Sequence, residues 1–233
     1  MADEQDELND EEKGIESIIR RGEKILEETL FNRLADQMVE SLPESAIISR
    51  EQQYERSFSE IRKSFKNYRD SFSRAGKLLA ESNFKIVGPQ EGEVSEEGSI
   101  QQIMGLGLAD LNQVSDLAVS YYEKKEYDNA RDLYLLLTTL RPDESDFWFG
   151  LGSTEQMSGH YDSAVMAYTM AGDLYPDNPM IYLYSANCLR LLDRKTEAIA
   201  VLDALIEGLG SENVFIEVTD RAEELKKEWL KAA

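Results

Sequence analysis

Residues 127–134 read Tyr-Asp-Asn-Ala-Arg-Asp-Leu-Tyr, and residues 161–168 read Tyr-Asp-Ser-Ala-Val-Met-Ala-Tyr. The second stretch begins 34 positions after the first, with both tyrosines and the alanine in the same places. A third step of 34 reaches Lys195, Ala198 and Leu202, which keep the small residue and a large apolar one. Trp148 and Tyr182 share the spacing, with Val114 one step upstream; so do Pro142 and Pro176, with Gly210 one step downstream. A fixed period of this length marks a repeated supersecondary unit that cannot bury its apolar face alone and must stack on its neighbours. Three units are present, at about 111–144, 145–178 and 179–212.

The period and the residue types resemble the tetratricopeptide repeat, which has two antiparallel helices per unit. Ala118, Gly152 and Ala186 on the first helices and Ala130, Ala164 and Ala198 on the second are small enough for close approach. Tyr121, Tyr134, Trp148, Tyr168, Tyr182 and Leu202 supply the bulk between them. Pro142 and Pro176 end the second helices, because proline has no N–H and restricts the residue before it. Val218, Ala222, Leu225 and Trp229, spaced 4, 3 and 4, form the apolar stripe of a closing helix, with Glu223, Glu224, Lys226 and Lys227 toward water. The expected fold is all-α: three repeats in a right-handed helical solenoid, a C-terminal capping helix, and a helical N-terminal extension.

Upstream of the repeats, residues 1–14 read as an acidic tail and 15–86 as the helical extension. Within it, over 50–82, Tyr54, Phe58, Ile61, Phe65, Tyr68 and Phe72 alternate spacings of 4 and 3 and continue through Ala75 and Leu79. That is a heptad seam. It predicts a helix packing on the rest of the chain, on a second copy in a homodimer, or on another partner. Residues 87–99 hold three Gly, one Pro and four Glu and read as a linker. The repeat domain is placed at 100–233.

The chain has 233 residues and a net charge of −21. Residues 1–49 carry −9, residues 50–85 carry +4 and residues 86–110 carry −5, so one basic island sits in an acidic chain. That balance opposes nucleic acid and anionic membrane surfaces as partners. No stretch has the ~20 apolar residues of a membrane span, and the acidic N-terminus does not read as a signal peptide. The expected location is the cytoplasm. One Cys and one His leave little for a metal site or a nucleophile pair, and neither Gly105-Leu106-Gly107 nor Gly150-Leu151-Gly152 has the third glycine of a nucleotide loop. His160 falls in an inter-helix turn and Cys188 in a row of small residues. The expectation is a binding protein, with no catalytic residue, metal or cofactor.

Repeat geometry puts the first helices on a concave face. The residues assigned to it are Ser115, Val119 and Tyr122, then Phe149, Gly150, Ser153, Gln156 and Met157, then Leu183, Tyr184, Asn187 and Arg190. Gly150 and Ser153, one turn apart, are expected to leave a depression in its floor. Apolar and aromatic walls with few charges suit an extended peptide carrying apolar anchors.

A more specific pattern surrounds these residues. Asp146-Phe147-Trp148-Phe149-Gly150-Leu151-Gly152 is followed by Gly159-His160-Tyr161-Asp162-Ser163-Ala164, and the third repeat contains Ser185-Ala186-Asn187-Cys188-Leu189. Together they resemble the class II chaperones of bacterial type III secretion, the SycD/LcrH/IpgC group, over about residues 98–212. The resemblance implies a bacterial cytoplasmic chaperone that binds hydrophobic secreted translocator proteins, an extended client segment lying in the groove. Tyr122, Phe149, Gly150 and Ser153 match that group in size or type, whereas Ser115 and Val119 stand where it tends to carry aromatics. Repeat domains that hold acidic chaperone tails use a Lys, Asn and Arg clamp; here those places hold Ser115, Val119, Gly150, Met180 and Tyr184. The alternative is a repeat scaffold, adaptor or regulator that bridges folded partners.

Overall fold

The computed structural model describes residues 70–82, 84–90, 105–209 and 216–231, with single residues at 14, 15, 17, 20 and 101. Every regular element among them is helical. The helices of the repeat region are α1 (Leu108–Glu123), α2 (Tyr127–Leu140), α3 (Ser145–Met157), α4 (Tyr161–Leu174), α5 (Pro179–Leu191), α6 (Lys195–Leu209) and α7 (Ile216–Lys231). The all-α expectation and its repeat register therefore hold. Tyr54, Phe58, Ile61, Phe65 and Tyr68 of the aromatic seam, and residues 91–99 of the predicted linker, lie outside the described residues. The chain divides into two compact units, Met1–Asp116 and Leu117–Ala233.

In the first unit a helix over 70–81 buries Phe72, Ala75 and Leu79, one face at spacings of 3 and 4. Phe72 is only 1% exposed, so that end of the seam is packed within the chain. Asp110, in the first turn of α1, is fully buried. Its carboxylate accepts three backbone N–H groups: Val87 at 2.6 Å, Gly107 at 2.8 Å and Gly88 at 2.9 Å. A buried carboxylate needs such donors, since unpaired it would lose its hydration without replacement. The Gln113 amide also donates to the Lys85 carbonyl at 3.2 Å. Residues 85–88, where the predicted linker begins, are thus fastened to α1.

In the second unit the 34-residue period becomes geometry. Helices α2, α4 and α6 begin at Tyr127, Tyr161 and Lys195, and α3 and α5 at Ser145 and Pro179. The turns that follow α1, α3 and α5 each contain a left-handed residue, Lys125 (φ 63°), Gly159 (φ 80°) and Asp193 (φ 60°), again 34 apart. The next N–H reaches back over each helix end: Glu126 to Tyr121, His160 to Glu155 and Arg194 to Leu189, all at 2.9 Å. That closure satisfies carbonyls the helix leaves unpaired. Asn178 caps α5 by accepting the Met180 N–H at 3.1 Å, with Pro179 in the first turn.

The alanines predicted to allow close approach, Ala118, Ala130, Ala164, Ala186 and Ala198, are all fully buried. Consecutive helices from α2 to α7 pack on one another. On α7, Ala222 and Trp229 join Ala186, Leu189, Ala198, Leu202 and Leu205 in one cluster, with Val218 and Leu225 packed against it. Fully burying a side chain such as Leu202 contributes about 1.5–3 kcal/mol, so α7 covers apolar surface that the third repeat would otherwise expose. Lys226 departs from expectation: it is half-buried and ion-paired with Asp203 rather than turned wholly to water.

Candidate functional site

A groove of about 530 Å³ lies in the second unit. Val119 and Tyr122 of α1 and Tyr134 of α2 form one side. The floor belongs to α3, with Asp146, Phe149, Gly150, Ser153, Gln156 and Met157. Tyr168 of α4 and Tyr184 of α5 complete it. Val119, Met157 and Tyr184 are exposed at its mouth, at 42%, 51% and 36%. Large apolar side chains left open around a concavity are an incomplete core awaiting a partner surface.

Three rings organise the far wall. Phe149 and Tyr168 lie 5.8 Å apart between centroids, Phe149 and Tyr184 5.9 Å, and Tyr168 and Tyr184 5.9 Å in a stacked pair. Such pairs add about 0.5–1.5 kcal/mol each beyond their burial and hold the wall in one shape. The Tyr168 hydroxyl donates to Gln156 Oε1 at 2.8 Å and lies 3.3 Å from Ser153 Oγ. Burial pushes the Tyr168 phenol well above its ordinary range. Tyr134 is also buried; burial first, then Tyr122 and Asp146, push its phenol up to about 12. Both phenols therefore stay neutral at physiological pH.

The floor differs from the expected open depression. A Cβ built on Gly150 would lie 2.2 Å from the ring of Tyr134, and one on Gly152 2.7 Å from the ring of Tyr168. The space that each glycine leaves is filled by a tyrosine from the neighbouring second helix. Ser153, likewise, lies beside the Tyr168 hydroxyl rather than forming an empty hollow.

Of the residues expected on this face, Val119, Tyr122, Phe149, Gly150, Ser153, Gln156, Met157 and Tyr184 come together in the groove. Ser115, Leu183, Asn187 and Arg190 do not line it. Ser115 is half-buried on α1, in the first unit. Leu183 packs against the third-repeat core, Asn187 is exposed, and Arg190 lies 3.9 Å from Asp193. The sequence reading missed Tyr134, Tyr168 and Asp146. Pairing each tyrosine with the glycine opposite it, large against small, was the available signal for the first two.

His160 stands at the start of α4, its half-exposed ring placing Nδ1 2.8 Å from Oε2 of the buried Glu155, and it does not line the groove. Cys188 is buried, and burial pushes its thiol up to about 11. Among the described residues no cluster of three or more His, Cys, Asp or Glu is placed to hold a metal ion. No described helix is long and apolar enough to cross a membrane.

Paired helices at a 34-residue period, with an aromatic groove on their first helices, define a tetratricopeptide-repeat protein, and the tetratricopeptide repeat family model matches residues 111–144 and 145–171. More particularly, the chain is homologous to Low calcium response locus protein H of Yersinia pestis. The two are 28% identical over 137 residues, covering 56% of this chain and 82% of that protein. Its fold is similar to the type III secretion translocator chaperone SycD of Yersinia enterocolitica (TM-score 0.52, 25% identity), across 57% of this chain and 99% of the other. A similar fold is seen in PcrH of Pseudomonas aeruginosa, solved with the chaperone binding region of PopD (TM-score 0.52, 20% identity), across 55% and 96% of the two chains.

Proposed function

We propose that this protein is a cytoplasmic chaperone of type III secretion that binds an extended apolar segment of a hydrophobic translocator in the groove of its second unit. It works by equilibrium binding rather than catalysis. The observation that carries the reading is the groove itself: an aromatic wall already organised, with Val119, Met157 and Tyr184 exposed at its mouth. An unfolded-prone client gains burial there, and the chaperone offers a rigid surface that loses little entropy on binding. The homology to Low calcium response locus protein H and the likeness to SycD point the same way.

Co-expression with a hydrophobic translocator tests this. A soluble complex is expected, and a client insoluble with and without the chaperone overturns the reading. Gly150 is a poor probe because its substitution disturbs Tyr134. Val119→Glu and Met157→Glu are better, since both side chains are exposed. Each is expected to weaken client binding about tenfold, ~1.4 kcal/mol, with an unchanged thermal melt.

The adaptor alternative has one observation in its favour. Met166, Met170 and Leu174 form an exposed stripe one turn apart along α4, with Tyr175 beside them. Co-purification of folded multi-subunit machinery, lost in Met166→Glu and kept in Met157→Glu, would select that reading.

A further inference from the structure

Among the described residues the groove has one charged lining residue, Asp146, in the first turn of α3. Its carboxylate is exposed and has no ion-pair partner among the described residues. Beside it stands Tyr134, only 7% exposed, whose hydroxyl has no hydrogen-bond partner among the described residues. Tyr168, the equivalent residue one repeat on, gives its hydroxyl to Gln156. With no described side chain taking it, this hydroxyl at the groove wall is available to a polar group that enters. Tyr122 lies close enough to raise the Tyr134 phenol further, so this end of the groove gathers two neutral phenols and one carboxylate. The carboxylate repels an anion, and the neutral phenols can accept as well as donate. An ammonium or guanidinium can donate to the carboxylate and to a phenol oxygen while resting on tyrosine faces.

We infer that the end of the groove formed by Asp146, Tyr134 and Tyr122 is a subsite for a basic side chain, a lysine or arginine flanking the apolar anchors of the bound segment. The inference rests on the groove-binding reading above and adds a charge preference to it. The aromatic triad of Phe149, Tyr168 and Tyr184 takes the apolar anchor, and the Asp146 end fixes its register.

The test uses the full chain and fluorescein-labelled peptides of proline and leucine carrying a single Lys, Gln or Glu moved through successive positions. Binding is read by fluorescence anisotropy. At one position the Lys peptide is expected to bind about tenfold more tightly than the Glu peptide, the Gln peptide falling between, and high salt should shrink the ratio. Asp146→Asn should collapse the ratio; Asp146→Lys should invert it. Tyr134→Phe should weaken the Lys peptide selectively. Equal affinities for all three peptides at every position overturn the basic subsite and leave groove binding standing. A Lys preference that survives Asp146→Asn overturns the assignment to this residue. No binding by any peptide overturns the groove reading and the inference with it. Asp146 is exposed, so circular dichroism melts should show each variant folded.

Discussion

Tyr134 and Tyr168 occupy the same place in successive repeats, each with its ring laid against a glycine of α3, yet they face different chemistry. Tyr168 is 1% exposed, hydrogen-bonded to Gln156 and locked among aromatic rings. Tyr134 is packed almost as deeply but leaves its hydroxyl unpartnered beside Asp146. The repeat dictates where a large side chain must go, because the small residue opposite it has to be filled. It does not dictate what surrounds the hydroxyl. One tyrosine has become structure and the other a part of the site's polarity.

The largest expected effect comes from filling the glycines. A methyl at Gly152 meets the ring of Tyr168, which has rings on two sides and nowhere to turn. Gly152→Ala should destabilise by about 2–3 kcal/mol, overpacking outweighing the gain in helix propensity. At Gly150 the clash with Tyr134 is closer, 2.2 Å, but that ring borders the groove and can swing into it. Gly150→Ala should therefore cost less, about 1 kcal/mol, and weaken client binding by narrowing the site. Chemical denaturation of both variants checks the order; equal losses would mean that the two tyrosines are held alike.

That contrast also separates what was legible in the sequence from what was not. The period placed the starts of α2, α4 and α6, the alanine contacts and the capping stripe of α7, because each follows from local spacing. Eight residues of the groove were readable because first helices face it. Tyr134 and Tyr168 reach the groove from second helices across α3, so spacing along one helix could not place them; only the match of each tyrosine to the glycine opposite it carried that signal. Leu183 was lost to the same cause in reverse, drawn into the third-repeat core once α7 closed over it. Asp110 gave no signal either: its partners Val87 and Gly88 lie more than twenty residues away in the chain.

Removing the two hydroxyls sharpens the comparison at about half the energy. Tyr168→Phe strands Gln156 Oε1, and should cost about 1 kcal/mol. Tyr134→Phe removes a hydroxyl without a partner, and should be neutral or stabilising by up to about 1 kcal/mol. Both keep the ring, so packing is constant and the difference reads hydrogen bonding alone. Tyr168→Phe is expected to melt below the parent protein, and Tyr134→Phe at or above it. A loss for Tyr134→Phe equal to that for Tyr168→Phe would show that its hydroxyl is satisfied in solution.

The smallest effect asks whether equivalent positions obey the same rule where no side chain contacts are involved. Lys125, Gly159 and Asp193 share the left-handed turn position, but only one is the residue that adopts it without strain. Nothing lies within 4 Å of a Cβ built on Gly159, so Gly159→Ala should lose about 1 kcal/mol from backbone strain alone. Lys125→Gly should gain about 0.5–1 kcal/mol, the relief exceeding the added freedom of the unfolded chain. Asp193→Gly should gain less, because aspartate tolerates this conformation and its side chain, fully exposed, lies 3.9 Å from Arg190 in a pair of little worth. The order Lys125→Gly above Asp193→Gly above Gly159→Ala in melting temperature is the expected result. If all three shift in the same direction, the turns are not equivalent in solution, and the repeat symmetry seen in the tyrosines stops at the helix ends.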